Sequence, residues 1–343
     1  MTSSTTIGVG LIGLGNSGWY YHAQGTFKDH PRYELVAVSS RTAARTHAAA
    51  KQFGATPYDD WRALIDDPKV QLVVIATPHD LHHVMTLAAA AAGKHVVVEK
   101  PMAKSTAEAT EMIAAAESAG VVLSVFQNRR WELQYQRILQ LIRDGSIGDV
   151  WRVEERRMHR GKYVAAGPAS PHSGSDLAAW AHTEVGGGGV TYLISPHLID
   201  HQIHLFGNAP LDVSAVMHTY PSDVVEHYVD IHMTFPGGVL SRIEVFREAV
   251  DELPSWVVLG DKGTIVGKDL RSLDIHRPGQ PTEIIQDLPL LRECDGFYDE
   301  LHSAITEGAP PPVDPRDSAI GVRVIELAHV SARAGGELQR LGA

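Results

Sequence analysis

A chain of 343 residues is long enough for two domains, each with its own core. Its 44% hydrophobic and 21% charged residues are ordinary for a globular protein, and a formal net charge of −11 excludes nucleic acid and anionic membrane as expected partners, because no basic excess is there to displace counterions. A single cysteine, Cys294, excludes an internal disulfide framework and fits a reducing compartment. No apolar run reaches the length of a membrane span, and residues 1–6 read as a polar tail rather than a signal peptide, so a cytoplasmic location is expected.

The first third alternates strand and helix signals. Strands are predicted at Ile7–Leu11, Glu34–Ser39, Leu72–Ala76, His95–Glu99 and Val121–Phe126. Helices are predicted at Trp19–Lys28, Thr42–Phe53, Trp61–Ile65, Leu81–Ala92 and Ala107–Ala119, with stops at Gly54, Gly93 and Gly120. Continuous apolar strands separated by helices imply a doubly wound parallel sheet. After about residue 126 the pattern changes. A helix at Gln134–Asp144 precedes longer, alternating strands at Val150–Met158, Asp212–Thr219, Tyr228–Phe235, Val239–Phe246, Ser255–Leu259 and Thr264–Val266. Turns such as Pro236-Gly237-Gly238 make this second sheet mostly antiparallel. The run Gly161–Gly189 reads as a long irregular insertion, followed by a helix at Pro196–Phe206. A connector, Ala309–Pro315, leads to a final helix, Arg316–Ala334. The cationic stretch Arg152–Lys162 is interleaved with Glu154 and Glu155 and reads as a solvated strand face. The expected fold is therefore α/β, with residues 1–126 a Rossmann domain and 127–343 a second α/β domain built on a large open sheet; the last helix, 316–334, is free to pack back on the first domain.

Gly13, Gly15 and Gly18 form a G-x-G-x-x-G frame between the first strand and the first helix. Gly13 permits the tight turn, Gly15 lets backbone N–H groups approach a pyrophosphate, and Gly18 lets helix and strand pack closely, so Gly13, Gly15, Asn16, Ser17 and Gly18 are expected to cradle a dinucleotide. An NAD-specific fold places an acid at the end of the second strand. Here that end reads Ser39-Ser40-Arg41-Thr42, so Ser40, Arg41 and Thr42 are expected to favour NADP(H), with NAD(H) still possible; the alternative is that Arg41 stacks on adenine and leaves the preference loose. Lys100 closes a strand at the carboxyl edge of the sheet, where its ammonium either polarises a substrate oxygen or sits solvated before a turn. Lys100-Pro101 is a candidate cis peptide.

Thr77-Pro78, Leu81-His82-His83 and Ala92-Gly93-Lys94-His95-Val96-Val97-Val98-Glu99-Lys100-Pro101 resemble the Gfo/Idh/MocA oxidoreductases, the family of glucose–fructose oxidoreductase, inositol dehydrogenase and the rhizopine-catabolism proteins. The likeness runs on through Gln127-Asn128-Arg129-Arg130-Trp131, Gly186–Gly189 and Pro196-His197-Leu198-Ile199-Asp200. It implies hydride exchange between a nicotinamide and a secondary alcohol carbon of a sugar or cyclitol, in a homodimer or homotetramer built on the second sheet's outer face. It also implies Lys100 as catalytic, with Glu99 orienting either that lysine or the nicotinamide ribose. Thr77, Pro78, His79 and His82 would line the nicotinamide, with capping by Thr77 or Asp80 the competing reading. Asn128 would follow on the cofactor side, and Arg129 would reach substrate or form an interdomain bridge.

The same resemblance makes His197 the general acid/base, a task that imidazole suits near neutral pH, and Asp200 the acidic member of the site. His159, Trp180 and Tyr192 complete the expected substrate contacts, with core packing as the alternative for the two aromatic residues. Lys100 and His197 are expected to converge on a cleft. The chain departs from the family in having Leu193 where most sugar and cyclitol dehydrogenases carry an aspartate four residues before the histidine. An apolar wall there favours a deoxy, methylated or glycosidic substrate over free myo-inositol, with Tyr192, Asp176, Glu184 or Asp200 taking the aspartate's role. His197, His201 and His204 share a helical face compatible with a metal, and His159, His172 or His182 could add ligands, although no metal is expected. Two other readings stay open: a redox-neutral enzyme that cleaves glycosides with a retained nicotinamide, and a non-catalytic sugar and dinucleotide sensor.

Overall fold

The computed structural model describes residues 6–160, 180–251, 253–289 and 294–342. These form two compact units, the first holding 6–128, Trp180 and 294–319, the second 129–160, 181–251, 253–289 and 320–342.

In the first unit, β1 (Ile7–Ile12), β2 (Tyr33–Ser39), β3 (Thr56–Tyr58), β4 (Leu72–Ile75), β5 (His95–Val98) and β6 (Leu123–Val125) make a fully parallel sheet in the order β3-β2-β1-β4-β5-β6. The order reverses between β1 and β4, so the connections leave to opposite faces and open a crevice at the carboxyl ends there. The central strands earn their place by being apolar on both sides: every residue of β1 and β4 is buried. The unpredicted β3 is three residues with a proline on the sheet's edge, where a missing N–H costs nothing.

The helix Asp295–Glu307 was also absent from the sequence reading. It belongs to the first unit, where Phe297, Tyr298 and Leu301 are fully buried and the Tyr298 ring packs 4.9 Å from Phe27 and 5.5 Å from Tyr33. The connector that follows is anchored by the Ser124 hydroxyl, which donates to the Val313 carbonyl at 2.9 Å.

The second unit is a nine-stranded sheet. Its strands are β7 (Val150–Arg160), β8 (Asp212–His218), β9 (Tyr228–Phe235), β10 (Val239–Ala249), β11 (Trp256–Gly260), β12 (Thr264–Gly267), β13 (Leu273–His276), β14 (Glu283–Ile285) and β15 (Gln339–Arg340). The order is β14-β13-β12-β11-β7-β10-β9-β8-β15, with β7 and β10 parallel and the other pairs antiparallel. Strands β13 to β15 are short and went unpredicted. Alternate residues Val229, Ile231, Met233 and Phe235 of β9 are buried, and the helix Ser195–Phe206 lays Leu198, Ile199 and Ile203 on them. Tyr135, Ile138 and Leu139 of the helix Leu133–Arg143 cover Val153, Trp256 and Val258 in a second core.

The expected solvated face over Arg152–Lys162 is corrected. Arg156 and Arg157 are both buried. Arg156 pairs with Glu154 and with Glu244 at 3.0 Å, while Arg157 turns to the opposite face and meets Glu155 at 3.3 Å and Glu132 at 3.2 Å. The outer face is thus an ion-paired lattice across β7, β10 and β9, completed by the bidentate Arg242–Asp230 pair at 2.9 Å. Lys162 lies outside the described residues.

Candidate nucleotide and substrate site

The nucleotide turn begins where β1 ends. Gly13 has φ +98°, which L side chains rarely adopt, and a Cβ there would overlap the Ala76 carbonyl at the end of β4. A Cβ on Gly18 would overlap the Gly13 carbonyl, so the helix Ser17–Phe27 can approach the turn only because that position is bare. This close strand–turn–helix packing at the switch point fits a dinucleotide pyrophosphate, with Gly15, Asn16 and Ser17 at the helix start. That helix has wide i→i+5 turns, as in the Lys28 N–H to Ala23 carbonyl bond of 2.9 Å.

After β2, the Ser40 hydroxyl donates to the Thr42 carbonyl at 3.1 Å and accepts from the Thr42 N–H at 3.2 Å, which folds the loop. Arg41 is exposed and has no hydrogen-bonding or charged partner among the described residues. Its guanidinium is therefore available to an anion.

Two residues past the end of β5, Lys100 is half-buried and its peptide bond to Pro101 is cis. Glu99 is buried, and its carboxylate is aimed into the protein. One oxygen accepts from the Ser17 hydroxyl and lies 3.2 Å from His22 Nε2; the other accepts the Lys100 backbone N–H at 3.2 Å. These contacts favour the orienting role over direct contact with a ribose. Burial works to raise the Glu99 pKa, but the hydrogen bond from His22, the Lys100 charge and the Ser17 hydroxyl outweigh it and hold the carboxyl below its ordinary range.

His82 is fully buried, with Nδ1 2.9 Å from the Pro101 carbonyl and Nε2 3.1 Å from the Thr77 carbonyl. Both nitrogens are engaged by backbone, so the expectation of direct cofactor contact is corrected: His82 ties the Thr77 loop to the Lys100-Pro101 loop. Burial lowers its pKa against the pull of those carbonyls, and the neutral ring this favours has one N–H, so it donates to one carbonyl at a time. The Thr77 hydroxyl meets Met85 Sδ at 3.8 Å, and Pro78 starts the short helical turn His79–Leu81. The His79 ring meets Trp180 edge-on at 4.8 Å. Asn128 hydrogen-bonds Cys294, whose thiol is pushed up to about 12 by burial and by the Glu99 charge.

In the second unit, His197 is buried in the first turn of the helix Ser195–Phe206. The glycine run before it has a structural cause. Gly189 has φ +88°, and a Cβ there would overlap the Glu226 carboxylate, which accepts the Thr191 N–H at 2.8 Å. Glu226 thereby holds the start of the short helix Val190–Leu193. Leu193 and Tyr192 are half-buried against the core, and Tyr192 stacks on His329 with centroids 5.4 Å apart.

Asp200 does not stand free for substrate. Arg130 clamps both its oxygens, Nε to Oδ2 and Nη2 to Oδ1, each at 2.7 Å, with side chains only 7% and 3% exposed. Its expected role as a substrate contact is corrected to an internal ion pair, and Arg130 is the member that the sequence reading missed. Arg129 pairs with Glu132, three residues on, at 3.5 Å. The three-histidine face disperses: His201 Nδ1 lies 3.0 Å from the buried Glu155, and His204 Nδ1 lies 2.7 Å from the Tyr135 hydroxyl. Burial, then the Arg130 charge, lowers the His204 pKa to about 4. Among the described residues no group of three or more His, Cys, Asp and Glu is placed to hold a metal ion. The side chain of His159, and the whole of His172 and Asp176, lie outside the described residues.

Comparison with known proteins supports the fold. Residues 7–127 match the model of the oxidoreductase family with an NAD-binding Rossmann fold, and residues 135–266 match the GFO/IDH/MocA C-terminal domain. The chain is 28% identical to scyllo-inositol 2-dehydrogenase (NADP(+)) IolW of Bacillus subtilis, over 96% of this chain and 94% of that one. It is 30% identical to 1,5-anhydro-D-fructose reductase of Ensifer adhaerens, over 89% and 90%. Levoglucosan dehydrogenase in complex with NADH and levoglucosan superposes with a TM-score of 0.83 over 99% of this chain and 100% of that one; at 23% identity, that likeness speaks for the fold. With both domain models matched and a 30% identical relative spanned nearly end to end, the chain belongs to the GFO/IDH/MocA family of NAD-binding Rossmann-fold oxidoreductases.

Proposed function

We propose that the protein moves hydride between NADP(H) and a secondary alcohol or ketone of a sugar, cyclitol or sugar derivative. The observation that carries this reading is the Glu99-Lys100-Pro101 segment at the carboxyl end of β5, on the same sheet as the glycine turn. The nicotinamide, when bound, supplies the hydride acceptor or donor. Gly13, Gly15, Asn16, Ser17 and Gly18 would hold its pyrophosphate, and Thr77, Pro78 and His79 its nicotinamide side. Lys100 polarises the reacting oxygen, and His197 takes up or returns the hydroxyl proton. Arg41, exposed and without a partner among the described residues, pairs with a 2′-phosphate, backed by Ser40 and Thr42; IolW, an NADP-dependent relative, supports that preference.

Lys100→Met should lower kcat by a factor on the order of 10² while nucleotide affinity barely changes. Near wild-type turnover on every sugar and cyclitol tried would refute the role of Lys100. Arg41→Ala should remove discrimination between NADP and NAD; an enzyme that already prefers NAD overturns the cofactor reading.

For the substrate, the half-buried Leu193 beside Tyr192 favours a deoxy, methylated or glycosidic sugar. A kcat/KM far higher for myo-inositol than for any such analogue would rule this out, and Leu193→Asp should shift preference toward free polyols. Val216 and Leu240, exposed on the outer sheet face, suit pairing of two copies into a homodimer or homotetramer, which light scattering would detect. A single buried thiol fits a cytoplasmic enzyme.

A further inference from the structure

We propose that His22 is a positioning residue that locks the nucleotide turn to the Lys100 strand end through the Glu99 carboxylate. The inference rests on the reading of the glycine turn and Lys100 given above, and it assigns a task to a histidine that no motif singled out.

His22 is fully buried on the helix Ser17–Phe27, its ring 4.3 Å from that of Phe126. Its Nδ1 lies 2.7 Å from the Tyr298 hydroxyl, and its Nε2 lies 3.2 Å from Glu99 Oε1. Burial holds the Tyr298 phenol well above its ordinary pKa, so that group stays a donor. Nδ1 must then accept, which leaves the ring proton on Nε2, directed at Glu99. The chain of donors runs one way, from Tyr298 to His22 to Glu99. It ends on a carboxylate that grips two functional segments at once: the Ser17 hydroxyl at the start of the nucleotide helix, and the backbone N–H of Lys100.

The carboxylate grips both most firmly while it is charged, because two ionised oxygens accept more strongly than a carboxylic acid does. Burial opposes that charge, and His22 is the foremost group opposing burial, ahead of Lys100 and Ser17. The other titratable groups around Glu99 are His82, Cys294 and Tyr298, and none of them donates to it among the described bonds. Without the His22 nitrogens the balance tips toward a protonated Glu99 that releases Ser17, and the effect grows as pH falls.

The test compares His22→Phe, which keeps the ring packing and removes both nitrogens, with His22→Gln, whose amide N–H reaches the place of Nε2–H. The dissociation constants of NADPH and NADH are measured by fluorescence between pH 5.5 and 8.5, beside kcat. His22→Phe should weaken nucleotide binding roughly 10-fold at the acid end and less at the alkaline end, while His22→Gln stays within about threefold of wild type throughout. Tyr298→Phe, which removes only the donor to Nδ1, should act in the same direction at smaller size and serves if His22→Phe does not fold. Equal defects in the Phe and Gln variants at every pH, or unchanged affinity in both Phe variants, would overturn the proposal. Nucleotide affinity is read without substrate, so a wrong assignment of Lys100 or of the sugar leaves this outcome untouched.

Discussion

Replacing Arg130 by Met strands the Asp200 carboxylate inside the protein. Two charge-assisted bonds of 2.7 Å disappear, and the carboxylate, 3% exposed, has no comparable partner among the described residues. Breaking one side of such a buried pair costs about 3–5 kcal/mol, because the surviving charge has lost both water and its counter-charge. For a unit of this size that corresponds to a fall in Tm of roughly 10 °C. Removing both charges is a different perturbation. Arg130→Met with Asp200→Leu leaves an apolar pair of similar bulk and should recover most of the loss, giving a coupling energy of about 2–4 kcal/mol in a double-mutant cycle. Urea denaturation of the four proteins is the assay. Single variants costing under about 1 kcal/mol, or a double variant equal to the sum of the singles, would refute the reasoning. The same double variant examines Asp200 itself: substrate KM should stay near wild type if the carboxylate serves Arg130 alone.

The Asp230 carboxyl is held down to about 2: burial pushes it up, and hydrogen bonds from His232 and Arg242 more than reverse this. A depressed carboxylate adds stability above its unfolded pKa and loses it as pH falls through the folded one, so Asp230→Asn should cost about 1–2 kcal/mol at pH 7 and almost nothing near pH 2. Cys294, pushed up to about 12 by burial, should resist a disulfide reagent at pH 8 in the native protein and react at once in guanidinium; fast native labelling would contradict the placement. Gly189→Ala puts a methyl group into the Glu226 carboxylate at φ +88°, and should cost about 1–3 kcal/mol and lower turnover through the helix that carries His197. A variant with wild-type Tm and kcat would show that the loop yields freely.

Local signals told most about backbone and least about side-chain pairing. The glycine frame was legible because a strand, a turn and a helix follow one another within a dozen residues, and the bare positions at Gly13 and Gly18 are demanded by carbonyls close by. Glu226, which explains Gly189, lies far along the chain from it, so the run could be noticed without its cause. The pair Arg129-Arg130 shows the limit well: nothing in two adjacent arginines says which turns inward, and the helical turn Asn128–Trp131 sends Arg130 to Asp200 and Arg129 to Glu132. His22 meets Glu99 across 77 residues, beyond any periodicity. The helix Asp295–Glu307 was missed for another reason. Its buried Phe297, Tyr298, Leu301 and Ala304 do recur at helical spacing, but glycine near its start and the proline-rich stretch after it read as loop.

That returning helix bears on how the chain matures. The Rossmann sheet finishes at Val125, yet Tyr298, which fills the space among Phe27, Tyr33 and Phe126 and orients His22, is synthesised much later. At ~5–20 residues per second, the intervening stretch of about 170 residues keeps a ribosome occupied for roughly 10–30 s. Throughout that time the nascent nucleotide fold carries an open aromatic socket and a Glu99 whose histidine is not yet held in one tautomer. The hold on the binding turn is therefore completed only once the helix Asp295–Glu307 has been made.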